Sequence, residues 1–364
     1  MSKRKPVLFG DPATDGLIDQ LLEQRNIDNN SDLVRSILIT GLKMEEAEVD
    51  RLNLKIASTA LKEMLESWEV FEAYSNRPKV TIFGSARTKP DHPDYKLAVE
   101  FGQIMAERGW MAITGAGPGI MTAGIEGVGL ENALGVSIVL PFEAKAAPII
   151  HGDPKLVSYK YFFTRKLTFM KETDAFVLFP GGFGTLDEAF ELLTLIQTGK
   201  SYPAPVVLLD HKESTYWSSW EKFVIEELDG GGQISTADMG LYTHTHDPVR
   251  AADDICNFYS NYHSIRTVGS QLIVRLRKEL PADALDTLNS EFSDILVNGV
   301  IEPVEPSNVE QREDELLHLK RLSMSFNKRS FGRLTRMIIR INELSDNTDE
   351  NTEDLIRGVS PEEF

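Results

Sequence analysis

Five short apolar runs constrain the fold of this chain more than any other feature. They are Lys79–Phe83 (KVTIF), Met111–Thr114 (MAIT), Val136–Leu140 (VSIVL), Ala175–Phe179 (AFVLF) and Val206–Leu209 (VVLL). Each is four or five residues long, rich in β-branched side chains and not strictly alternating, as in parallel strands covered on both faces. Helical patterns separate or follow them, over 94–108, 118–132, 164–172, 185–199 and 214–228. Strands alternating with helices predict right-handed βαβ units, and therefore an α/β, Rossmann-like doubly wound parallel sheet. Such sheets bind ligands beyond the carboxyl ends of their strands. Those ends are Gly84-Ser85-Ala86, Gly115-Ala116-Gly117, Pro141-Phe142-Glu143 and Pro180-Gly181-Gly182.

The flanks read differently. Order is expected to be partial up to about residue 15. Apolar residues at helical spacing between Ile37 and Phe71 predict one long helix or two in tandem, packed on the next domain or a second subunit. Ser260–Leu280, Ala282–Val297 and the basic stretch His318–Leu344 also carry helical periodicity. The expected organisation is a helical extension over 1–76, the Rossmann-like domain over 77–256, a helical extension over 257–345 and a disordered acidic tail over 346–364. The apolar helices at 33–71 and 260–297 predict a homo-oligomer, a dimer or larger.

Charge narrows the partners. The 364 residues carry 38 Lys+Arg against 56 Asp+Glu, a net charge of −18. That balance opposes binding to a nucleic-acid polymer, which rests on neutralising phosphates with cations, and to an anionic membrane surface. The lone Cys256 suits a reducing compartment. With no spanning segment or signal peptide evident, the reading is cytoplasmic.

Three segments carry candidate chemistry. Thr114-Gly-Ala-Gly-Pro-Gly-Ile-Met121 follows a strand and opens a helix, so Gly115, Gly117 and Gly119 can bring backbone close to an anion, with Pro118 in the first turn. Phe179-Pro-Gly-Gly-Phe-Gly-Thr-Leu-Asp-Glu188 repeats the arrangement with Pro180, Gly181, Gly182 and Gly184. There Thr185 can cap the helix and donate its hydroxyl, while Thr185-Leu-Asp-Glu188 also matches a capping box, the ligand-free alternative. Lys155–Lys171 gathers Lys155, Lys160, Arg165, Lys166 and Lys171 without an acid, interleaved with Tyr159, Tyr161, Phe162, Phe163 and Phe169, and Thr164 is expected to cap the helix there. Ser85 is a further ligand-contact candidate. His244 and His246 are read as belonging to a polar loop, with no partner at ligand spacing, so no metal and no cofactor are expected.

The string Pro180-Gly-Gly-Phe-Gly-Thr-Leu-Asp-Glu188 has the form PGGxGTxxE, and Arg165-Lys166 stands upstream of it. Together they resemble the LOG family, named for the plant "lonely guy" cytokinin-activating proteins and long misnamed lysine decarboxylases. The resemblance covers about 78–255. Two departures stand out: Thr114-Gly-Ala-Gly-Pro-Gly-Ile-Met replaces the family's Gly-Gly-Gly-x-x-Gly-Leu-Met, and Asp187 stands where Glu is frequent. The flanking extensions resemble longer bacterial, cyanobacterial-type members.

The resemblance implies hydrolysis of the N-glycosidic bond of a nucleoside 5′-monophosphate such as AMP to free base and ribose 5-phosphate. It implies that Arg165 and Glu188 are catalytic, that Gly181, Gly182, Gly184 and Thr185 contact phosphate, and that the protein is oligomeric. Two other readings stay open: a non-catalytic nucleotide or molybdenum-cofactor (pterin) carrier on the same fold, and a scaffold whose flanks carry the function.

Overall fold

The computed structural model describes residues 7–140, 146–313 and 316–345. The expected tail and the Pro141-Phe142-Glu143 strand end lie outside them. The chain divides into two units, 1–62 and 63–364. The first holds α1 (Pro12–Gln24), α2 (Ser31–Glu46) and the start of α3 (Arg51–Glu72). Order sets in earlier than residue 15, because the Asp11 side chain caps α1 at Thr14 N and Pro12 fits its first turn. Ile18, Leu22 and Ile39 form its small core, and Arg35 pairs with Asp15 and Asp19. The stretch with helical periodicity is two helices: Glu48 adopts φ 51°, and Asp50 receives hydrogen bonds from Leu52 N and Asn53 N to start α3.

The second unit contains the sheet. Its elements are β1 (Lys79–Phe83), α4 (Pro93–Glu107), β2 (Met111–Thr114), α5 (Ile120–Val128), β3 (Ala133–Ile138), β4 (Leu156–Tyr159), α6 (Phe162–Lys171), β5 (Ala175–Leu178), α7 (Phe183–Gln197), β6 (Val206–Leu209), α8 (Tyr216–Phe223), β7 (Thr243–Thr245) and α9 (Pro248–Phe258). Seven parallel strands lie in the order β4-β3-β2-β1-β5-β6-β7. The five apolar runs are five of these strands. The two edge strands, β4 and β7, are short and more polar, so they carry no such signal. Alternate strand residues feed two cores, one around Ile113, Phe176 and Trp217, the other around Val80, Val177 and Trp110. The strand order reverses between β1 and β5, which opens the crevice where ligands bind in such folds.

Two boundaries differ from expectation. The N-terminal division falls at 62/63, inside α3, because Phe71 enters the sheet core and Ser67 Oγ hydrogen-bonds Thr168 Oγ1 at 3.2 Å. The C-terminal region is not a helical extension. It forms β8 (Tyr262–Val268), β9 (Gln271–Leu276), α10 (Ala282–Glu291), β10 (Leu296–Pro303), α11 (Asn308–Glu313), β11 (Lys320–Phe326) and α12 (Phe331–Leu344), with an antiparallel sheet in the order β10-β11-β9-β8. Gly269, at φ 63°, opens the two-residue turn joining β8 to β9. The apolar residues of Ser260–Leu280 therefore belong to a hairpin. α12 is tied to the sheet unit by Asn342, which accepts from Asn261 N and Tyr262 N at 3.0 and 2.8 Å and donates to Phe258 O at 2.6 Å. No helix among the described residues is long and apolar enough to cross a membrane.

Candidate functional site

The two glycine loops are not on neighbouring strands, since β1 lies between β2 and β5. Ser85, just past β1, stitches them together: its N–H donates to Pro180 O and its carbonyl accepts from Ile120 N, both at 3.1 Å. Close packing here requires glycine. A Cβ on Gly119, which sits at φ 68°, would stand 2.3 Å from Ser85 O. Gly119 is the N-cap of α5, and Pro118 precedes the helix rather than entering it. Gly115 lies against Arg165: a Cβ there would meet Arg165 Nη2 and Met121 Sδ, each at 2.6 Å. Gly117 packs on Met121, and its carbonyl accepts from Thr122 Oγ1 at 3.0 Å.

The second loop departs from the expected cap. Gly182 is the N-cap of α7, so Thr185 sits inside the first turn and Glu188 about one turn further on; no capping box forms. Thr185 is buried beneath Gly181, where a Cβ would meet its Oγ1 at 2.1 Å. Among the described residues no side chain caps α5 or α7, so their leading N–H groups, apart from Ile120 N that Ser85 O already takes, remain available to an anion. Glu188 is 6% exposed, and its Oε2 has no hydrogen-bond partner among the described residues. Burial pushes its carboxyl up to about 7, although Lys166 and Arg165 pull it down. Phe183, in the same loop, is 94% exposed.

Of the basic cluster, Lys166 and Arg165 both act on Glu188. Arg165 Nε donates to Val136 O at 2.9 Å, and its guanidinium lies 5.1 Å from the centre of the Phe169 ring. Burial pushes its pKa below the ordinary arginine value, and Glu188 acts against that shift. Lys166 Nζ is held by Asp187 at 2.8 Å and Glu191 at 2.6 Å. Burial pulls its pKa down, but those two bonds outweigh it and the net shift is upward. Lys155 pairs with Asp153, and Lys171 with Glu172. Thr164 is not a cap, because α6 begins at Phe162; its Oγ1 donates to Glu63 Oε2 at 2.5 Å.

Two contributors escaped the sequence reading. Glu63 also accepts from Lys160 N at 2.7 Å, so α3 fixes the turn that launches α6 and Arg165. Its only trace in the sequence is an acid on a face shared with Ser67 and Phe71. Tyr216 Oη donates to Gly181 O at 2.7 Å, so α8 holds the second glycine loop. Tyr216 has no motif; it is placed by the order of the strands. His244 is in β7 rather than a loop.

The chain has similar sequences among known proteins. The family described as "Possible lysine decarboxylase" matches residues 118–255. The cytokinin riboside 5′-monophosphate phosphoribohydrolase LOG7 of Arabidopsis thaliana is 30% identical over 167 residues, 44% of this chain and 73% of that protein. The chain belongs to the LOG family. A probable LOG phosphoribohydrolase of Oryza sativa is 30% identical across 37% of this chain and 56% of its own length. The Mycobacterium tuberculosis phosphoribohydrolase is 29% identical across 36% and 70%. This LOG member thus spans about half to three quarters of the relatives it matches. A solved molybdenum cofactor binding protein from Rippkaea orientalis aligns at TM-score 0.34 and 20% identity, over 49% of this chain and 94% of that one, too loosely to bear on function.

Proposed function

We propose that this chain hydrolyses the N-glycosidic bond of a nucleoside 5′-monophosphate. The observation that carries the reading is Glu188: a buried carboxyl with one unpartnered oxygen, raised to about 7, beside Arg165 and behind an uncapped glycine-loop helix. The 5′-phosphate binds the N–H groups at Gly182–Gly184 and those that follow Ile120 at the start of α5. Anchoring the phosphate orients the ribose, so binding remote from the reacting bond lowers the barrier at C1′. As the C1′–N bond breaks, positive charge grows on the sugar, and the Glu188 carboxylate stabilises it. Water adds to C1′ and its proton passes to Glu188, while the departing base takes up a proton from solvent, to which Glu188 then gives its own. A group raised to about 7 is suited to that exchange near neutral pH. Arg165 holds phosphate or ribose.

The names of the plant and mycobacterial relatives support this reaction class, and make cytokinin riboside 5′-monophosphates one substrate to try. The test incubates the full chain with AMP, GMP, CMP and an isopentenyladenine ribotide and measures free base chromatographically. Release from at least one, abolished by Glu188→Gln, is expected. No release from any, or full activity in the variant, overturns the proposal; tight binding without turnover favours a carrier.

A further inference from the structure

A second constellation stands at the carboxyl end of the sheet, on β6 and β7. Asp210 directly follows β6 and is fully buried. His244 lies in β7 and His246 just beyond it; two residues apart on a strand, they share a face. The pairing of Leu208 with His244 and Leu209 with Thr245 brings Asp210 level with His246. His244 Nε2 is 3.0 Å and His246 Nδ1 2.8 Å from the same oxygen, Asp210 Oδ1. The other ring nitrogen of His244, Nδ1, is 3.1 Å from Glu221 Oε2 on α8.

Three features point to a ligand. One ligand atom from each of Asp210, His244 and His246 lies within 4.8 Å of the other two. A buried carboxylate needs compensating positive charge, and among the described residues no lysine or arginine pairs with Asp210. A carboxylate behind a histidine fixes its ring and raises its basicity, the usual support of a metal-ligating imidazole. Two imidazoles and one carboxylate suit a divalent first-row ion, zinc in particular, and suit calcium or magnesium poorly. We propose that Asp210, His244 and His246 bind a zinc-type divalent ion, with Glu221 orienting His244. His246, 40% exposed, leaves one side of the site open to water. An ion here fastens β6, β7 and α8 together, and α8 carries the Tyr216 hydroxyl that holds Gly181.

A neighbouring cluster, His92, Asp94 and His211, serves as the control. There His92 Nδ1 already accepts from Asp94 N at 3.1 Å. The full chain is stripped with a chelator, dialysed, and titrated with Zn²⁺ by calorimetry and with Co²⁺ by visible absorption. One ion per chain, a Co²⁺ ligand-field band and a Zn²⁺-dependent rise in melting temperature are expected. His246→Ala removes all three, Glu221→Gln weakens zinc affinity about 10–100-fold, and His92→Ala changes none. Circular dichroism confirms that His246→Ala is folded; if it is not, the Glu221→Gln titration decides. Absence of binding by the wild type, unchanged binding in both His246→Ala and Glu221→Gln, or loss in His92→Ala alone overturns the assignment.

Discussion

Replacing Glu188 by Gln should inactivate the protein and also stabilise it, by an amount that depends on pH. The carboxyl has an ordinary value of 4.5 and is raised to about 7 in the fold, burial outweighing the pull of Lys166 and Arg165. Between those values the unfolded chain is the more ionised state, so folding stability falls as pH rises, and the full deficit is present above about 7. The gap corresponds to about 3 kcal/mol, at about 1.4 kcal/mol per pH unit. Glutamine has the shape of the protonated acid and carries no charge, so it relieves that deficit. Urea unfolding of both proteins should give a difference under about 1 kcal/mol near pH 5 and about 3 kcal/mol near pH 8.5, in favour of the variant. A variant no more stable than the wild type at the higher pH refutes the claim that burial dominates at this carboxyl. The expected result is a stability gain bought with function, as is common where a charged group is held in a desolvated site.

Other consequences follow from the same contacts. Lys166→Met removes a cation that lowers Glu188 and leaves Asp187 and Glu191 to raise it, so the ascending limb of the pH–rate profile, expected near 7 in the wild type, should move upward. Gly119→Ala places a Cβ against the Ser85 backbone at a left-handed φ, and should cost more than about 2 kcal/mol in chemical denaturation while weakening substrate binding. Glu310 sits between Arg275 at 2.8 Å and Arg321 at 3.2 Å. Burial raises its pKa, but bonds from Arg275, Ser307 and Arg321 bring it down to about 2. The stability it lends is complete above its ordinary value of 4.5 and is lost as pH falls toward about 2; Glu310→Gln should cost about 3–5 kcal/mol at neutral pH. Leu65 and Trp68 remain 55% and 46% exposed on α3, so light scattering at micromolar concentration should report an oligomer, and a monomer would refute that reading.

The second apolar segment offered for assembly, 260–297, no longer supports it, because Ile265, Val274, Leu288 and Ile295 fill the core of their own sheet and helices. That misreading has a physical cause. Short β-branched runs joined by a Gly-Ser turn resemble helical periodicity when the turn is counted as part of the run, and Gly269-Ser270 was the overlooked signal. The capping-box alternative at Thr185 is also not realised. Thr185-Leu-Asp-Glu188 fits the pattern, but Gly182 lets α7 begin earlier and turns Thr185 inward.

The sequence by itself determined the parallel sheet and the glycine loops, because strands covered on both faces must be apolar and a backbone that closely approaches another must lack Cβ. Through its resemblance to the LOG family it also singled out Arg165 and Glu188. Only the tertiary structure decided that Ser85 joins the two loops, that Asp187 and Glu191 hold Lys166, and that Asp210 meets His244 and His246. Those outcomes depend on strand order and register, which place residues tens of positions apart within hydrogen-bond reach. Local pattern fixes which elements form; the order in which the sheet assembles them fixes which side chains share an environment, and that environment sets the charge state of Glu188.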